Sequence, residues 1–348
     1  MPDFLSNPHR GTGLPVSDVM PADDATPVTE LLRVCPLHAA TPLLRLPELA
    51  AQCGVGQLFV KDERGRMGLG SFKALGAAHA IARDAERVQG GDWGQKLSGR
   101  TYVAASAGNH GLSVAAGARV FGARSVIYLA DTVPEAFARR LRAKGAEVVR
   151  AGDSYAESMA AAERDAAAEG WTLLSDSSWP GYTELPWRVM EGYLQMSAEI
   201  EAQISAPPTH ILLQAGVGGL AAAVAAHARR LWGDGPQIVV VEPEAAPALA
   251  ASLRAGRIVT AEGPVSAMGR LDCKTPSMIA LAGLSRDADL FATISEQEAA
   301  QAVAVLAGFT LDTTPSGAAG LAALLAGLPG AGEEARVLAI LSEGPEGD

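Results

Sequence analysis

The sequence Ile211-Leu-Leu-Gln-Ala-Gly-Val-Gly-Gly-Leu220 passes from a short apolar run into a glycine loop and then into an alanine-rich stretch. The apolar run predicts a buried strand, and the alanine-rich stretch predicts a helix that begins at the loop. Glycines let the backbone approach a phosphate closely, and the N-terminus of a helix stabilises negative charge. This segment therefore predicts a strand–loop–helix unit that binds an anion.

The same glycine loop also fits a dinucleotide-binding fingerprint. Gly216, Gly218 and Ala221 match the G-x-G-x-x-G/A spacing, and Glu242 follows about 20 residues later at the end of a predicted strand. On this segment alone, an NAD-dependent dehydrogenase is as good an interpretation as an enzyme that uses the loop for another phosphate.

Outward from this unit, short β-type runs alternate with helical patterns, which indicates α/β units with buried parallel sheets. Predicted strands are 58–61, 102–104, 125–129, 172–175, 211–214, 238–241 and 337–341. Predicted helices include 71–87, 134–144, 156–169, 189–204 and 296–306. Residues 1–34, rich in Pro, Asp and Ser, are predicted to form an arm that packs on the surface or is partly disordered. A chain of 348 residues exceeds the usual size of one core, so we expect two lobes.

Composition narrows the function classes. A net charge of −11 argues against binding to nucleic acid or an anionic membrane surface, because both require a basic footprint. No segment is long and apolar enough to span a bilayer, and the N-terminus lacks a signal-peptide pattern. Cys35, Cys53 and Cys273 are widely spaced and predict reduced thiols in a cytoplasmic protein.

The lysine of Gly68-Leu-Gly-Ser-Phe-Lys73 stands at the start of a predicted helix, behind glycines and next to the apolar Phe72. A helix N-terminus and burial both disfavour the charged amine, so both are expected to lower the pKa of Lys73. A lysine that forms a Schiff base needs this neutral amine. By itself, the pattern is also typical of an ordinary solvated lysine.

A second turn, Ser106-Ala-Gly-Asn-His-Gly111, directly follows the predicted strand 102–104 and opens a helix. Its free backbone N–H groups predict binding of a carboxylate or an oxyanion, and Asn109 can donate a hydrogen bond to a phenolate oxygen. The alternative is a plain strand-to-helix turn with Ser or Asn as the N-cap.

Two further polar residues follow predicted strands. Asp176 lies near Trp179 and Tyr182 in the sequence, and desolvation by these rings would raise the pKa of its carboxyl group. Its alternative role is that of a turn cap. Ser342 directly follows the last predicted strand, where its hydroxyl can bind a pyridine nitrogen or simply belong to a turn.

The order of these elements (lysine at a helix start, Ser106–Gly111 turn, glycine loop, serine after the last strand) resembles the fold-type II pyridoxal-phosphate enzymes, the threonine-dehydratase and tryptophan-synthase-β kind. The dehydrogenase interpretation explains only the glycine loop. Within the family, the chain looks most similar to the diaminopropionate ammonia-lyases, from about residue 42 to residue 344. Segments that carry this similarity are Phe59-Val-Lys-Asp-Glu63, Trp179-Pro-Gly-Tyr-Thr183, Gly192-Tyr193, Leu213-Gln-Ala-Gly-Val-Gly218 and Val241-Glu-Pro243.

The resemblance implies a two-domain α/β fold with parallel twisted sheets flanked by helices. The large cofactor-binding domain would comprise residues 35–73 and 185–348, and the small domain residues 74–184. Pyridoxal 5′-phosphate would be the cofactor, and its implied ligands are Lys73, Asn109, Gly216, Val217, Gly218, Gly219 and Ser342.

The resemblance also implies roles toward the substrate. Ser106, Ala107 and His110 would lie where the substrate carboxylate binds. Lys73 would remove the Cα proton, and Asp176 would be an acid near the substrate side chain.

Two departures from the ammonia-lyases concern this site. Those enzymes carry an aspartate where this chain has Ala107, so the chain lacks that proton-accepting group and is expected to act on L-amino acids only. Beyond Met268 the chain reads Gly269-Arg-Leu-Asp-Cys-Lys-Thr-Pro276, which adds Arg270 and Lys274. These two residues are either surface charges or recognise an acidic group of the substrate.

The expected activity is α,β-elimination from a small L-amino acid such as 2,3-diaminopropionate, which yields a 2-oxo acid and ammonia. A serine, threonine or 3-hydroxyaspartate dehydratase is the alternative, and an NAD-dependent dehydrogenase is a remote one. No residue is assigned to a metal. The resemblance further implies a homodimer whose other partner is a small amino-acid substrate.

Overall fold

The larger of two sheets has seven strands. In this computed structural model, which describes residues 2–35 and 37–345, their spatial order is β1 (Asp3–Ser6), β10 (Leu290–Ile294), β9 (Gln237–Pro243), β8 (His210–Gln214), β11 (Arg336–Leu341), β3 (Gln57–Asp62) and β2 (Leu43–Arg45). The five strands from β10 to β3 pair in parallel, whereas β1 and β2 pair antiparallel at the two edges. Strand β8 is buried at every position, as expected for a parallel strand covered on both faces.

The smaller sheet has four strands, all parallel, in the order β6 (Glu147–Arg150), β5 (Arg124–Leu129), β4 (Thr101–Ala105) and β7 (Thr172–Leu173). Strand β4 lies in the centre of this sheet and is buried throughout. All its strands fall inside the predicted small domain of residues 74–184. The domain boundaries themselves stay a prediction.

Helices cover both sheets. Their bounds are α1 Thr26–Leu32, α2 Pro47–Gln52, α3 Lys73–Glu86, α4 Asn109–Val120, α5 Glu135–Ala143, α6 Tyr155–Glu169, α7 Glu184–Gly192, α8 Leu194–Gln203, α9 Gly219–Trp232, α10 Ala248–Ala255, α11 Met278–Asp287, α12 Glu296–Ala307 and α13 Pro315–Leu325. Capping boxes at Ser154 and Ser295 start α6 and α12. Among the described residues, none of these helices has both the length and the apolar character needed to cross a membrane.

The predicted α/β class and the seven predicted strands are confirmed, and four strands were not predicted: β1, β2, β6 and β10. The prediction for residues 1–34 was incomplete, because β1 extends the large sheet and α1 packs on α3 and α8. The predicted helix 189–204 is two helices that meet at Tyr193. Edge strands of three or four residues are too short for their periodicity to be recognised.

The parallel pairing positions the site. Carboxyl ends of parallel strands lie at one edge of a sheet, so the segments that follow β3, β8 and β11 emerge side by side. These segments carry Lys73, the glycine loop and Ser342. In the small sheet, the segments after β4 and β7 are neighbours for the same reason, and they carry the Ser106–Gly111 turn and Asp176.

A buried ion network anchors the loop that leads to Lys73. The Arg66 guanidinium donates to Glu63 and Glu199, both at 2.7 Å, and the Lys61 ammonium donates to Glu199 at 2.8 Å. Burial raises the pKa of Glu199, but the hydrogen bonds and charges of Arg66 and Lys61 outweigh it and lower this pKa to about 2. Met67, directly after Arg66, has a φ of +49°, which is a strained conformation for a residue other than glycine. The network holds this strained turn in place.

Replacing Glu199 with Gln is expected to reduce the free energy of unfolding by about 3 kcal/mol, because two buried cations lose their shared counter-charge. Urea unfolding measures the loss. The folded-state pKa of Glu199 is lower than the ordinary value of 4.5. The contribution of Glu199 to the free energy of unfolding is therefore present above pH 4.5 and disappears as the pH falls toward 2. Glu201→Gln, an exposed position on the same helix, is the control. Equal losses in both variants would contradict the role of the network.

Candidate active site

Lys73 is the first residue of α3. The loop that leads from β3 to Lys73 includes Gly68 and Gly70, whose φ angles are +66° and +82°. Its ammonium donates to the carboxylate of Asp176, which follows β7 in the small sheet. Each side chain is 21% exposed. This ion pair therefore joins the carboxyl ends of the two sheets at one point.

The pair reverses both pKa shifts predicted from the sequence. Burial lowers the pKa of Lys73, but the charge of Asp176 outweighs burial and holds this pKa above its usual range. Burial likewise raises the pKa of Asp176, but Lys73 and His110 hold it below its usual range. Each group is the other's counter-charge, and the sequence does not show that they meet.

Trp179 and Tyr182 stabilise the segment around Asp176. Their rings stack with centroids 4.3 Å apart. The Tyr182 hydroxyl accepts from the backbone N–H of Ser175 at 3.0 Å and donates to the Leu173 carbonyl at 2.8 Å. These contacts fix the chain on both sides of the turn that presents the carboxylate.

Two aromatic rings flank the lysine. The Lys73 Nζ lies 5.2 Å from the ring centroid of Phe72 and 5.7 Å from that of Tyr193, and the two rings pack edge to face at 4.9 Å. Gly76 makes this possible, because a Cβ there would lie 2.6 Å from Cε1 of Tyr193.

The Ser106–Gly111 turn forms the N-terminus of α4, with Gly108 as the N-cap and no side-chain cap hydrogen bond. The Ser106 hydroxyl accepts from the N–H of Gly108 at 3.2 Å. The first N–H groups of α4 have no intrahelical acceptor, so they are suited to a carboxylate. Ala107, within this turn, is half-buried and carries no titratable group.

His110 and Asn109 point to different partners. Burial lowers the pKa of His110, and its neutral ring donates from Nε2 to the Leu174 carbonyl at 2.8 Å. The ring of His110 thus ties α4 to the segment before Asp176, while its backbone belongs to the Ser106–Gly111 turn. The Asn109 amide donates to the carboxylate of Glu343, the residue after Ser342.

The glycine loop after β8 is closely packed. A Cβ on Gly216 would lie 3.0 Å from Sγ of Cys273, and a Cβ on Gly218, whose φ is +98°, would lie 3.0 Å from Cβ of Ala280. The Val217 carbonyl accepts from the N–H of Ser277 at 3.0 Å. Gly219 begins α9, which has no side-chain cap either, so its first N–H groups are suited to a phosphate.

Arg270 and Lys274 have different surroundings. Arg270 lies at the N-terminus of α4, because a Cβ on Gly108 would be 3.5 Å from Cδ and Nε of Arg270. Its Nε is 3.8 Å from Glu343. The Lys274 ammonium instead pairs with Asp272 at 2.7 Å and donates to the carbonyls of Ala245 and Pro264, both at 2.7 Å. The structure therefore brings Arg270 to the site, whereas Lys274 stabilises a local loop.

Glu242, the acid of the dinucleotide fingerprint, faces inward. It is fully buried, and its two carboxylate oxygens accept from the N–H groups of Leu249 and Ala250 at 2.7 and 2.9 Å. Burial raises its pKa to about 8. A carboxyl group that binds the start of α10 in this way is not available to a ribose, which argues against the dehydrogenase interpretation.

Three site residues had no functional role in the sequence-based prediction: Glu343, Tyr193 and Cys273. Glu343 is buried, and its partner Asn109 is 234 residues away in the chain. The Cys273 thiol adjoins Gly216, and burial together with the charge of Asp176 raises its pKa to about 11, so it is protonated at neutral pH. Two of these three residues had a signal in the sequence: Glu343 directly follows Ser342, and Tyr193 belongs to the Gly192-Tyr193 segment that carries the family resemblance.

These residues fit pyridoxal phosphate. Lys73 supplies an amine at the start of α3, and α4 and α9 supply two helix N-termini without a side-chain cap. Two buried hydroxyls at the site, Ser71 Oγ and Tyr193 Oη, have no hydrogen-bond acceptor within the part of the chain that the structure describes. Unsatisfied buried hydroxyls are unfavourable, and a polar ligand at this position can satisfy them.

Comparison with known proteins agrees with this fit. Residues 34–343 match the protein family described as pyridoxal-phosphate dependent enzyme. A diaminopropionate ammonia-lyase of Salmonella typhimurium is 33% identical over 265 residues, which are 70% of this chain and 66% of that enzyme. A serine dehydratase-like protein of Rattus norvegicus is 30% identical over 86% of each chain. The crystal structure of the Escherichia coli diaminopropionate ammonia lyase in complex with D-serine has a TM-score of 0.87 and 27% identity, over 99% of this chain and 94% of that one.

In the cofactor-free protein, Asp176→Asn is expected to lower the pKa of Lys73, because burial then acts without a counter-charge. Trinitrobenzenesulfonate reacts with neutral amines, so labelling of Lys73 near neutral pH should accelerate by about tenfold or more, the change that one pKa unit produces. Mass spectrometry of the labelled peptide measures the rate. Asp153→Asn, an exposed position, is the control. An unchanged rate in Asp176→Asn would show that the ion pair does not control the amine.

Proposed function

The chain belongs to the pyridoxal-phosphate dependent enzyme family, and we propose that it is an ammonia-lyase that eliminates the β-amino group of a small L-amino acid of the 2,3-diaminopropionate type. With 2,3-diaminopropionate and water as reactants, the products are pyruvate and ammonia from both nitrogens. The observation that carries this proposal is the ion pair of Lys73 and Asp176, since the site binds an alkylammonium group at a half-buried carboxylate. The similarity to diaminopropionate ammonia-lyases supports the same activity.

Each residue of the site has its own proposed role toward the cofactor or the substrate. Pyridoxal phosphate, when bound, supplies an electron sink for the negative charge left at Cα. Lys73 would hold the cofactor and then take the Cα proton on its amine. The first N–H groups of α4 would bind the substrate α-carboxylate, and those of α9 the cofactor phosphate. Ser342 would face the ring nitrogen, and Asn109, oriented by Glu343, the ring oxygen.

Asp176 selects the leaving group. Beside the Lys73 ammonium the pKa of Asp176 is held below its usual range, and a substrate ammonium group that takes the place of this amine would keep the carboxyl group ionised in the same way. The acid role expected from the sequence stays a prediction for a substrate that brings no such cation. A β-ammonium group leaves as neutral ammonia without a further proton, whereas a β-hydroxyl group needs a proton donor. An ionised Asp176 therefore favours a diamino acid over serine or threonine.

Arg270 supports a second candidate, a dehydratase for 3-hydroxyaspartate. Its side chain lies beside Gly108, at the helix end proposed to bind the substrate carboxylate. A substrate with a second carboxylate would gain a charge-assisted hydrogen bond there. The serine dehydratase-like relative is compatible with a hydroxyl leaving group.

An oxo-acid assay across both enantiomers of 2,3-diaminopropionate, serine, threonine and 3-hydroxyaspartate separates the candidates. L-2,3-diaminopropionate is expected to have the highest kcat/KM. Asp176→Asn should lower that value by about 10–100-fold through loss of a charged hydrogen bond, with a smaller effect on serine. D-isomers should be inert, because Ala107 provides no second base.

Two results would redirect this proposal. A preference for 3-hydroxyaspartate that Arg270→Ala abolishes would establish the second candidate. Robust turnover of a D-isomer would show that another residue acts as a base on the opposite face of the substrate.

We also propose that the protein is a cytoplasmic homodimer. The support is the resemblance to the family, together with three free thiols, which are compatible with a reducing compartment. Analytical ultracentrifugation of the cofactor-loaded protein should give twice the mass of the 35.7 kDa chain. A single species at the chain mass would reject the dimer and leave the proposed chemistry untouched, since every site residue discussed here lies in one chain.

A further inference from the structure

Tyr193 occupies the break between α7 and α8, and only 1% of its surface is exposed. Its hydroxyl oxygen lies close to the Lys73 ammonium, which can only donate, and its proton has no hydrogen-bond acceptor among residues 2–35 and 37–345. Leaving a buried hydroxyl unsatisfied costs about 1–3 kcal/mol. A hydroxyl of this kind inside a ligand site therefore indicates a partner that the polypeptide does not supply.

The neighbours of the ring locate that partner. Cε1 of Tyr193 lies 2.6 Å from the position of a Cβ on Gly76, and Cε2 lies 3.5 Å from that of a Cβ on Gly219. Both atoms adjoin the carbon that bears the hydroxyl. The hydroxyl end of the ring is thus held between the first turn of α3, which carries Lys73, and the N-terminus of α9.

The charges around this hydroxyl decide its role as a donor or an acceptor. Burial raises the pKa of Tyr193 to about 12, with Lys73 opposing and Asp176 reinforcing the shift. The hydroxyl is therefore protonated at neutral pH. An anion at the N-terminus of α9 would disfavour the phenolate further, so the hydroxyl next to it is a hydrogen-bond donor.

We propose that Tyr193 is a phosphate-binding residue: its hydroxyl donates to the phosphate group of the cofactor held at the N-terminus of α9, and it fixes that group relative to Lys73. This assigns to the phosphate a side-chain donor from outside the glycine loop. The proposal concerns the cofactor alone, so it is independent of which amino acid the enzyme consumes.

The test compares pyridoxal 5′-phosphate with pyridoxal, which lacks the phosphate. Each is titrated into cofactor-free protein, and binding is followed by the absorbance of the lysine-bound ligand. Tyr193→Phe is expected to raise the Kd of pyridoxal 5′-phosphate by about 10–100-fold, the effect of one hydrogen bond to a charged group, and to leave the Kd of pyridoxal within about twofold. Tyr128→Phe is the matched control, because it removes the hydroxyl of another buried tyrosine, which lies in β5 of the small sheet and donates to Asp165 of α6.

Thermal unfolding supplies a second, independent measurement. If the hydroxyl serves the phosphate, Tyr193→Phe should be at least as stable as the wild type without cofactor and should gain less stability from pyridoxal 5′-phosphate. Equal weakening of both ligands would show that Tyr193 acts through Lys73 or through packing, and would overturn the proposal. Unchanged affinities would overturn it as well, and so would a variant that fails to fold without cofactor.

Discussion

The ion pair between Lys73 and Asp176 is the interaction on which the site depends. It joins a residue that follows the large sheet to one that follows the small sheet, and it sets the protonation of both. Burial alone would neutralise each group, but each supplies the charge that the other needs. When the amine is used for the cofactor, Asp176 loses this counter-charge and needs another cation to stay ionised. That requirement links the geometry to an ammonium-bearing substrate.

Rigid surroundings allow such a pair to form. Lys73 is reached through a strained turn that the buried network of Arg66, Glu63, Glu199 and Lys61 holds in place. Asp176 is reached through a turn fixed by Tyr182. Because both supports are built from side chains already bound to their partners, little reorganisation is needed when a ligand arrives.

The charges of the site are arranged to suit a zwitterion with an additional cation. In the proposed function, the N-termini of α4 and α9 would bind the anionic groups of substrate and cofactor, and Asp176 would bind an ammonium group. Arg270 and Glu343 stand together beside α4, and Glu343 orients Asn109 through its carboxylate. The dinucleotide interpretation has no acid available for a ribose, since Glu242 accepts hydrogen bonds from the start of α10 inside the protein.

The sequence by itself determined the α/β class, the central parallel strands and the Lys73, Ser106–Gly111 and Gly216–Gly219 segments, because local periodicity, glycine positions and helix starts are properties of neighbouring residues. Its short edge strands were missed, since three or four residues show too little periodicity. Only the tertiary structure decided which distant side chains meet. Lys73 pairs with Asp176, and Asn109 donates to Glu343. Arg270 lies at the site, whereas Lys274 pairs with Asp272 in a local loop. The pKa values followed these contacts, because a nearby counter-charge outweighs the burial and helix effects that a sequence reveals.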